Sequence, residues 1–186
     1  MGSRNNGTAL VVVDVQVAVI SGVEGEPPAF REAETLEQIQ TLIDKARAAE
    51  APIVYVQHES AEWPPMRPGA DGWQIHPAIT PKPGDPIIRK RSSDSFYGTP
   101  LRAELDRLGI SRLVICGLES NLCVDATARR ALSLDYDVVL AGDAHTTHDG
   151  AVIHAELIIA HTNATLANLA HPTHEIVVQP TAEIVF

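Results

Sequence analysis

Four short apolar runs constrain this chain more than any other feature: Leu10–Val13, Ile53–Val56, Arg112–Ile115 and Asp137–Ala141. Within them apolar residues follow one another without polar alternation, the pattern of strands covered on both faces. Between the runs the spacing becomes helical. Glu32–Glu50 places Leu36, Ile39, Leu42, Ile43 and Ala46 on one face, and Pro52 then punctuates. Pro100–Leu108, Leu122–Leu134 and Gly150–Ala170 read as further helices, the last with apolar residues at 152, 153, 157, 158 and 160. Ile87–Ile88 and Ile176–Val178 supply shorter strands, and Ile184–Phe186 closes the chain. Buried strands alternating with helices predict an α/β architecture. It should be three-layer and Rossmann-like, with a central, mostly parallel six-stranded sheet flanked by helices.

The 186 residues suit a single domain, 1–186, with residues 1–7 as a loose N-terminal tail. A formal charge of −10 argues against nucleic acid, which needs clustered Lys and Arg, and against an anionic membrane surface. No apolar stretch approaches a membrane span, and Met1–Ala9 has no signal-peptide core. Cys116 and Cys123 share one predicted strand–loop–helix unit and make no disulfide framework, so a reducing cytoplasm is the expected location. The segment from His58 to Asp85 is rich in Pro, Gly and Trp and has no period. It is too long for an idle connection and is expected to be a functional loop or lid.

Ligands of open parallel sheets bind beyond the carboxyl ends of the strands. The residues there are Asp14, Val15 and Gln16 after the first run, Gln57, His58 and Glu59 after the second, and Arg89, Lys90 and Arg91 after Ile88. The loop carrying Cys123 follows the third long run, and Gly142, Asp143, Ala144 and His145 follow the next. A carboxylate, a cation and a thiol therefore project toward one crevice, the set that acyl transfer requires. Cys123 also sits where a strand gives way to a helix, a place where unpaired N–H groups and the helix dipole favour the thiolate. Each residue has a structural reading as well: Asp14 as a turn former, Lys90 as part of a solvated Arg-Lys-Arg run, Cys123 as a small apolar helix residue.

The chain resembles the isochorismatase-like cysteine hydrolases, which include nicotinamidases, carbamoylsarcosine amidohydrolases and ureidoacrylate-type amidohydrolases. The resemblance runs from Leu10 to about Leu169. It is carried by Val-Val-Asp-Val-Gln at 12–16, by Lys90 with Ser95-Phe96-Tyr97-Gly98-Thr99-Pro100-Leu101, and by Gly117-Leu118-Glu119-Ser120-Asn121-Leu122-Cys123-Val124. Ala126-Thr127-Ala128-Arg129-Arg130-Ala131 and Gly142-Asp143-Ala144-His145-Thr146-Thr147 complete it. The resemblance implies a catalytic triad of Asp14, Lys90 and Cys123. Cys123 would attack a carbonyl carbon after passing its proton to Asp14, Lys90 would steady both charges, and a thioester would form. It also implies a non-proline cis peptide at Leu118–Glu119, aiming the backbone N–H groups of Glu119 and Cys123 at an oxyanion.

Glu119 departs from the family, whose members usually carry a small or neutral residue there; its side chain either faces away or lines the pocket and favours a cationic or hydrogen-bond-donating substrate. Nicotinamidases hold a metal with an Asp-x-His motif and a further His after the second strand. Here that stretch offers His58 beside Glu59, with His76 much later, so no catalytic metal and no cofactor are expected. Candidate substrate contacts are Gln16, His58, Trp63, Phe96, Tyr97 and Glu119, with Gln16 better suited to orienting the loop. The expected activity is metal-independent hydrolysis of the C–N bond of a small amide, ureido or lactam-like compound by a homodimer or homotetramer. Vinyl-ether hydrolysis needs no thiol, and a catalytically silent binding protein needs none of the three residues.

Overall fold

The computed structural model describes residues 7–186. Six strands form one sheet: β1 (Thr8–Val13), β2 (Ile53–His58), β3 (Ile87–Lys90), β4 (Arg112–Leu118), β5 (Asp137–Thr146) and β6 (Ile176–Gln179). Their order is β3-β2-β1-β4-β5-β6 and every neighbouring pair is parallel. The helices are α1 (Val17–Ile20), α2 (Glu32–Ala48), α3 (Leu101–Arg107), α4 (Asp125–Leu132) and α5 (Ala155–Leu166). Among the described residues no helix is long and apolar enough to cross a membrane. Most of the expected N-terminal tail lies outside the described residues. Gly7 does not, and it is tied down, its carbonyl accepting the Ser111 and Arg112 N–H groups at 2.8 and 2.9 Å.

The unbroken apolar runs are explained by two cores. Successive side chains of a strand point to opposite faces. Ala9, Val11 and Val13 of β1 enter one cluster with Leu101 and Leu105 of α3 and Ala128 and Ala131 of α4. Leu10 and Val12 enter the other with Ile39, Leu42 and Ala46 of α2. α2 carries Glu32 and Glu34 in its first turn and Lys45 and Arg47 in its last, the arrangement that complements the helix dipole.

The strand order reverses between β1 and β4, and connections leaving the two strands in opposite directions open a crevice there. The backbones meet closely at that seam. Gly117 has φ +117°, and a Cβ placed on it would lie 2.0 Å from the Val13 carbonyl oxygen. No other residue fits.

Two boundaries differ most from the sequence expectation. β5 continues past Ala141 to Thr146, although Gly142–Thr146 is polar, because side chains from elsewhere satisfy it: Asn163 Nδ2 donates to the Gly142 carbonyl at 3.0 Å. The last helix begins at Ala155, not Gly150, where Asp149 Oδ1 accepts the Ala155 N–H at 2.8 Å. The apolar Val152 and Ile153, which suggested a helical face, are exposed in the preceding loop. The segment between β2 and β3 holds three short 3-10 turns that bury Met66, Trp73 and Ile79.

Candidate active site

Asp14 follows β1 directly, Lys90 ends β3, and Cys123 lies in a single π-type turn, Ser120–Val124, between β4 and α4. The switch point thus gathers three residues distant in sequence. Lys90 Nζ is 2.6 Å from Asp14 Oδ2 and 3.1 Å from Cys123 Sγ. The ammonium also donates to the Ser92 carbonyl at 2.9 Å and lies 3.3 Å from His58 Nδ1. Three N–H bonds thus serve four acceptors, His58 being the most distant. Asp14 adopts φ 51°, the left-handed region, which costs a non-glycine residue on the order of 1–3 kcal/mol and is commonest at functional positions. Apart from Lys90 and the Cys123 thiol, no donor among the described residues reaches either Asp14 oxygen.

The charges follow from burial. Burial works against the Lys90 ammonium, but Asp14 and then Cys123 outweigh it and raise the lysine's pKa. Burial and then Lys90 lower that of His58, so its Nδ1 is a lone pair facing the ammonium and Nε2 carries the proton. Burial, followed by the Asp14 charge, pushes Cys123 up to about 12 against the opposing pull of Lys90. The resting sulfur is therefore a thiol, which corrects the expectation that a helix start would favour the thiolate. The turn's own geometry explains the difference: the Leu122 and Val124 N–H groups turn back to the Glu119 carbonyl at 3.0 and 3.1 Å. Alkylation of Cys123 by iodoacetamide should keep accelerating as pH rises, with no plateau near the ordinary thiol value of about 8.5. A plateau at neutral pH, followed by mass spectrometry of the Cys123 peptide, would contradict this charge state.

The Leu118–Glu119 peptide is cis. Glu119 points its Oε1 at His148 Nδ1, 2.7 Å away, and this bond raises the histidine's pKa. Its carboxylate is thereby paired four residues from the sulfur. A carboxylate oxygen of Asp14, a ring nitrogen of His58 and Cys123 Sγ lie within 4.8 Å of one another, a spacing that could hold a metal ion. All three already surround the Lys90 ammonium, so a divalent ion would share their centre with a fixed positive charge. The donor set does not fit a metal while Lys90 is protonated.

The remaining candidates divide. Gln16 is fully buried, and its amide is engaged: Oε1 accepts the His58 N–H at 2.8 Å, while Nε2 donates to the His58 and Trp73 carbonyls at 2.9 and 2.8 Å. It fastens the 57–85 segment over the strand ends and has no polar atom left for a substrate. Phe96, expected as a substrate wall, is buried in the core and stacks on Tyr136 at 5.9 Å. Trp63 is half-buried at the first 3-10 turn, its N–H donating to Ser60 Oγ at 3.2 Å. Tyr97 is 73% exposed and, with Glu59, Lys90, Ser92 and Thr99, lines a cleft of about 370 Å3. Ser92, which the sequence did not single out, and His148 complete the surroundings; neither has a spacing signal.

Residues 8–170 match the Isochorismatase domain family. The chain belongs to the isochorismatase family. Two streptothricin hydrolases of Streptomyces noursei are 43% and 41% identical to it over 141 residues, 76% of this chain. The chain spans about half the length of these relatives, 50% and 55%. The ureidoacrylate amidohydrolase of Methylobacterium radiotolerans is 28% identical over 74% of the chain and 66% of its own length. Among solved structures, an isochorismatase of Pseudomonas putida KT2440 superimposes with a TM-score of 0.85 at 29% identity, covering 96% of this chain and 90% of that one. The N-carbamoylsarcosine amidase of Thermoplasma acidophilum gives 0.76 at 26% identity, covering 95% and 98%. The isochorismatase family is thus a hydrolase family with amidohydrolases among this chain's relatives.

Proposed function

We propose that the protein is a metal-independent cysteine amidohydrolase that cleaves the C–N bond of a small amide, ureido or lactam-like substrate. The observation that carries this reading is the Lys90 ammonium set between Asp14 Oδ2 and Cys123 Sγ, at 2.6 and 3.1 Å. A thiol, a carboxylate able to take its proton and a fixed cation steadying both form a complete nucleophilic unit.

The steps follow from the charge state. As a substrate carbonyl approaches, the Cys123 proton passes to Asp14 and sulfur bonds to carbon, the carbonyl π pair moving to oxygen. The oxyanion is received by the backbone N–H groups of Glu119 and Cys123. Its collapse re-forms the carbonyl and breaks the C–N bond, while Asp14 returns the proton to the departing nitrogen. A water then gives a proton to Asp14 and adds to the thioester, releasing the carboxylic acid and restoring the thiol. Lys90 keeps its proton throughout, and its position among Asp14, His58 and Cys123 supports a reaction without a metal. The names of the streptothricin hydrolases, the ureidoacrylate amidohydrolase and the carbamoylsarcosine amidase support C–N cleavage.

A panel of amides, ureido acids and lactams, assayed for released amine or ammonia, tests the substrate class. Acid quenching during turnover and mass analysis of the Cys123 peptide tests the mechanism. The expected result is an acyl group on Cys123. Steady turnover of an amide with acyl transfer to no cysteine, or to Cys116, would remove the proposal.

A further inference from the structure

Three consecutive residues at the start of the Cys123 turn, 119–121, are fastened to the end of β5 and the two residues that follow it. Glu119 Oε1 meets His148 Nδ1 at 2.7 Å, Ser120 Oγ meets His145 Nδ1 at 2.7 Å, and Asn121 Oδ1 accepts from Thr147 Oγ1 at 3.0 Å. The middle rung is buried, Ser120 wholly and His145 to 2% exposure. Its hydrogen-bond directions follow from one fixed point. Asn163 Nδ2 donates to the Gly142 carbonyl at 3.0 Å, so Asn163 Oδ1 is the atom 2.7 Å from His145 Nε2 and must accept. His145 Nε2 therefore carries a proton. Burial pushes this histidine's pKa down, so Nδ1 is a lone pair, and the Ser120 hydroxyl donates to it. The line runs one way, from Ser120 through His145 and Asn163 to Gly142. Reversing any link sets two donors or two acceptors face to face in a buried site, at about 1–3 kcal/mol for each group left unpaired.

We infer that His145 is a positioning residue for the nucleophile: a neutral imidazole of one tautomer that holds Ser120, and through it the turn bearing Cys123, in place against Lys90 and Asp14. This rests on the thiol-nucleophile reading above. His145 has no hydrogen bond to Asp14, Lys90 or Cys123 among the described residues, so it acts through Ser120. A serine, histidine and asparagine in line also suggest a second nucleophilic unit, but Ser120 is wholly buried and no carbonyl could reach it. The reacting atoms are sensitive to such support, since a displacement of about 1 Å from a remote change can cost on the order of a hundredfold in rate.

The test compares Ser120→Ala, His145→Leu and His145→Gln. Glutamine can accept from Ser120 through one amide atom and donate to Asn163 through the other. For each variant kcat and KM are measured on an amide turned over by the parent, with iodoacetamide alkylation of Cys123 and thermal unfolding alongside. Ser120→Ala and His145→Leu should lower kcat by roughly tenfold to a hundredfold, with KM little changed, while still folded at the assay temperature. Alkylation should rise by roughly threefold or more, because a loosened turn relieves the burial that holds the thiol protonated. His145→Gln should bring both values back toward the parent. Folded Ser120→Ala protein with parental kcat and parental alkylation overturns the inference, as does His145→Gln failing to restore what His145→Leu loses. Should no amide be turned over, the amidohydrolase reading fails, and the alkylation rates still decide the positioning role. Should His145→Leu not fold, Ser120→Ala decides it.

Discussion

Asparagine at position 14 is expected to stop turnover and, at the same time, to make Cys123 easier to alkylate. The two effects oppose each other because Asp14 acts on the sulfur in two ways. Its charge is one of the causes that push the Cys123 pKa up, second only to burial, so removing it leaves the Lys90 ammonium as the nearest charge and favours the thiolate. It is also the group that takes and returns the proton, work worth about 10^2 to 10^4 in rate. Amide turnover by Asp14→Asn should therefore fall by about a hundredfold to ten-thousandfold. Iodoacetamide labelling at neutral pH should quicken, with Cys123→Ala as the unlabelled blank. Thermal unfolding must accompany the comparison, since breaking a buried ion pair can cost about 3–5 kcal/mol, lessened here because the asparagine carbonyl still accepts from Lys90. Retained turnover is incompatible with Asp14 as the proton carrier, and slower labelling of a folded variant is incompatible with its charge keeping the thiol protonated.

The second large effect concerns the seam between β1 and β4. Gly117→Ala puts a methyl group 2.0 Å from the Val13 carbonyl oxygen and 2.8 Å from its nitrogen, and both belong to the central strand of the sheet. Neither can retreat without breaking the register Val13↔Gly117 that aligns the two strand ends. Steric overlap and the φ of +117° together should destabilise the fold by about 3–5 kcal/mol, enough to deplete soluble protein. Gly98→Ala is the control: its φ is +65° but nothing lies within 4 Å of the added methyl, so only a backbone penalty of about 1 kcal/mol applies. Chemical denaturation of the two variants separates the causes. Equal losses would show that the close approach of the strands carries no special cost.

The architecture could be read from the sequence because burial on both faces leaves its mark directly, as runs such as Leu10–Val13. Those runs also place the strand ends, where Asp14, Lys90 and the Cys123 loop stood among several candidates; the family resemblance is what grouped these three as a triad. Features held by long-range polar contacts were not legible. The polar end of β5 looked like a loop because the group that satisfies Gly142 is Asn163, on α5. His145 therefore seemed to lie beyond the strand, and its bond to Ser120 has no periodicity to betray it. The Ser95–Leu101 motif carries part of the family resemblance, but it does not say which way Phe96 turns; packing against Tyr136 decided that. Likewise a helix start in sequence shows neither how deeply its cysteine is buried nor where its first N–H groups point.

The arrangement around Lys90 has one further consequence. Before attack the cluster holds one carboxylate, one ammonium and one thiol; after the proton moves it holds one carboxylic acid, one ammonium and one thiolate. Both states are electroneutral, and the negative charge merely changes place beside the same ammonium, 2.6 Å from one home and 3.1 Å from the other. Little surrounding solvent has to reorient for that exchange. A sulfur can thus remain protonated and inert in the absence of substrate, and become a nucleophile without any ion entering or leaving the protein.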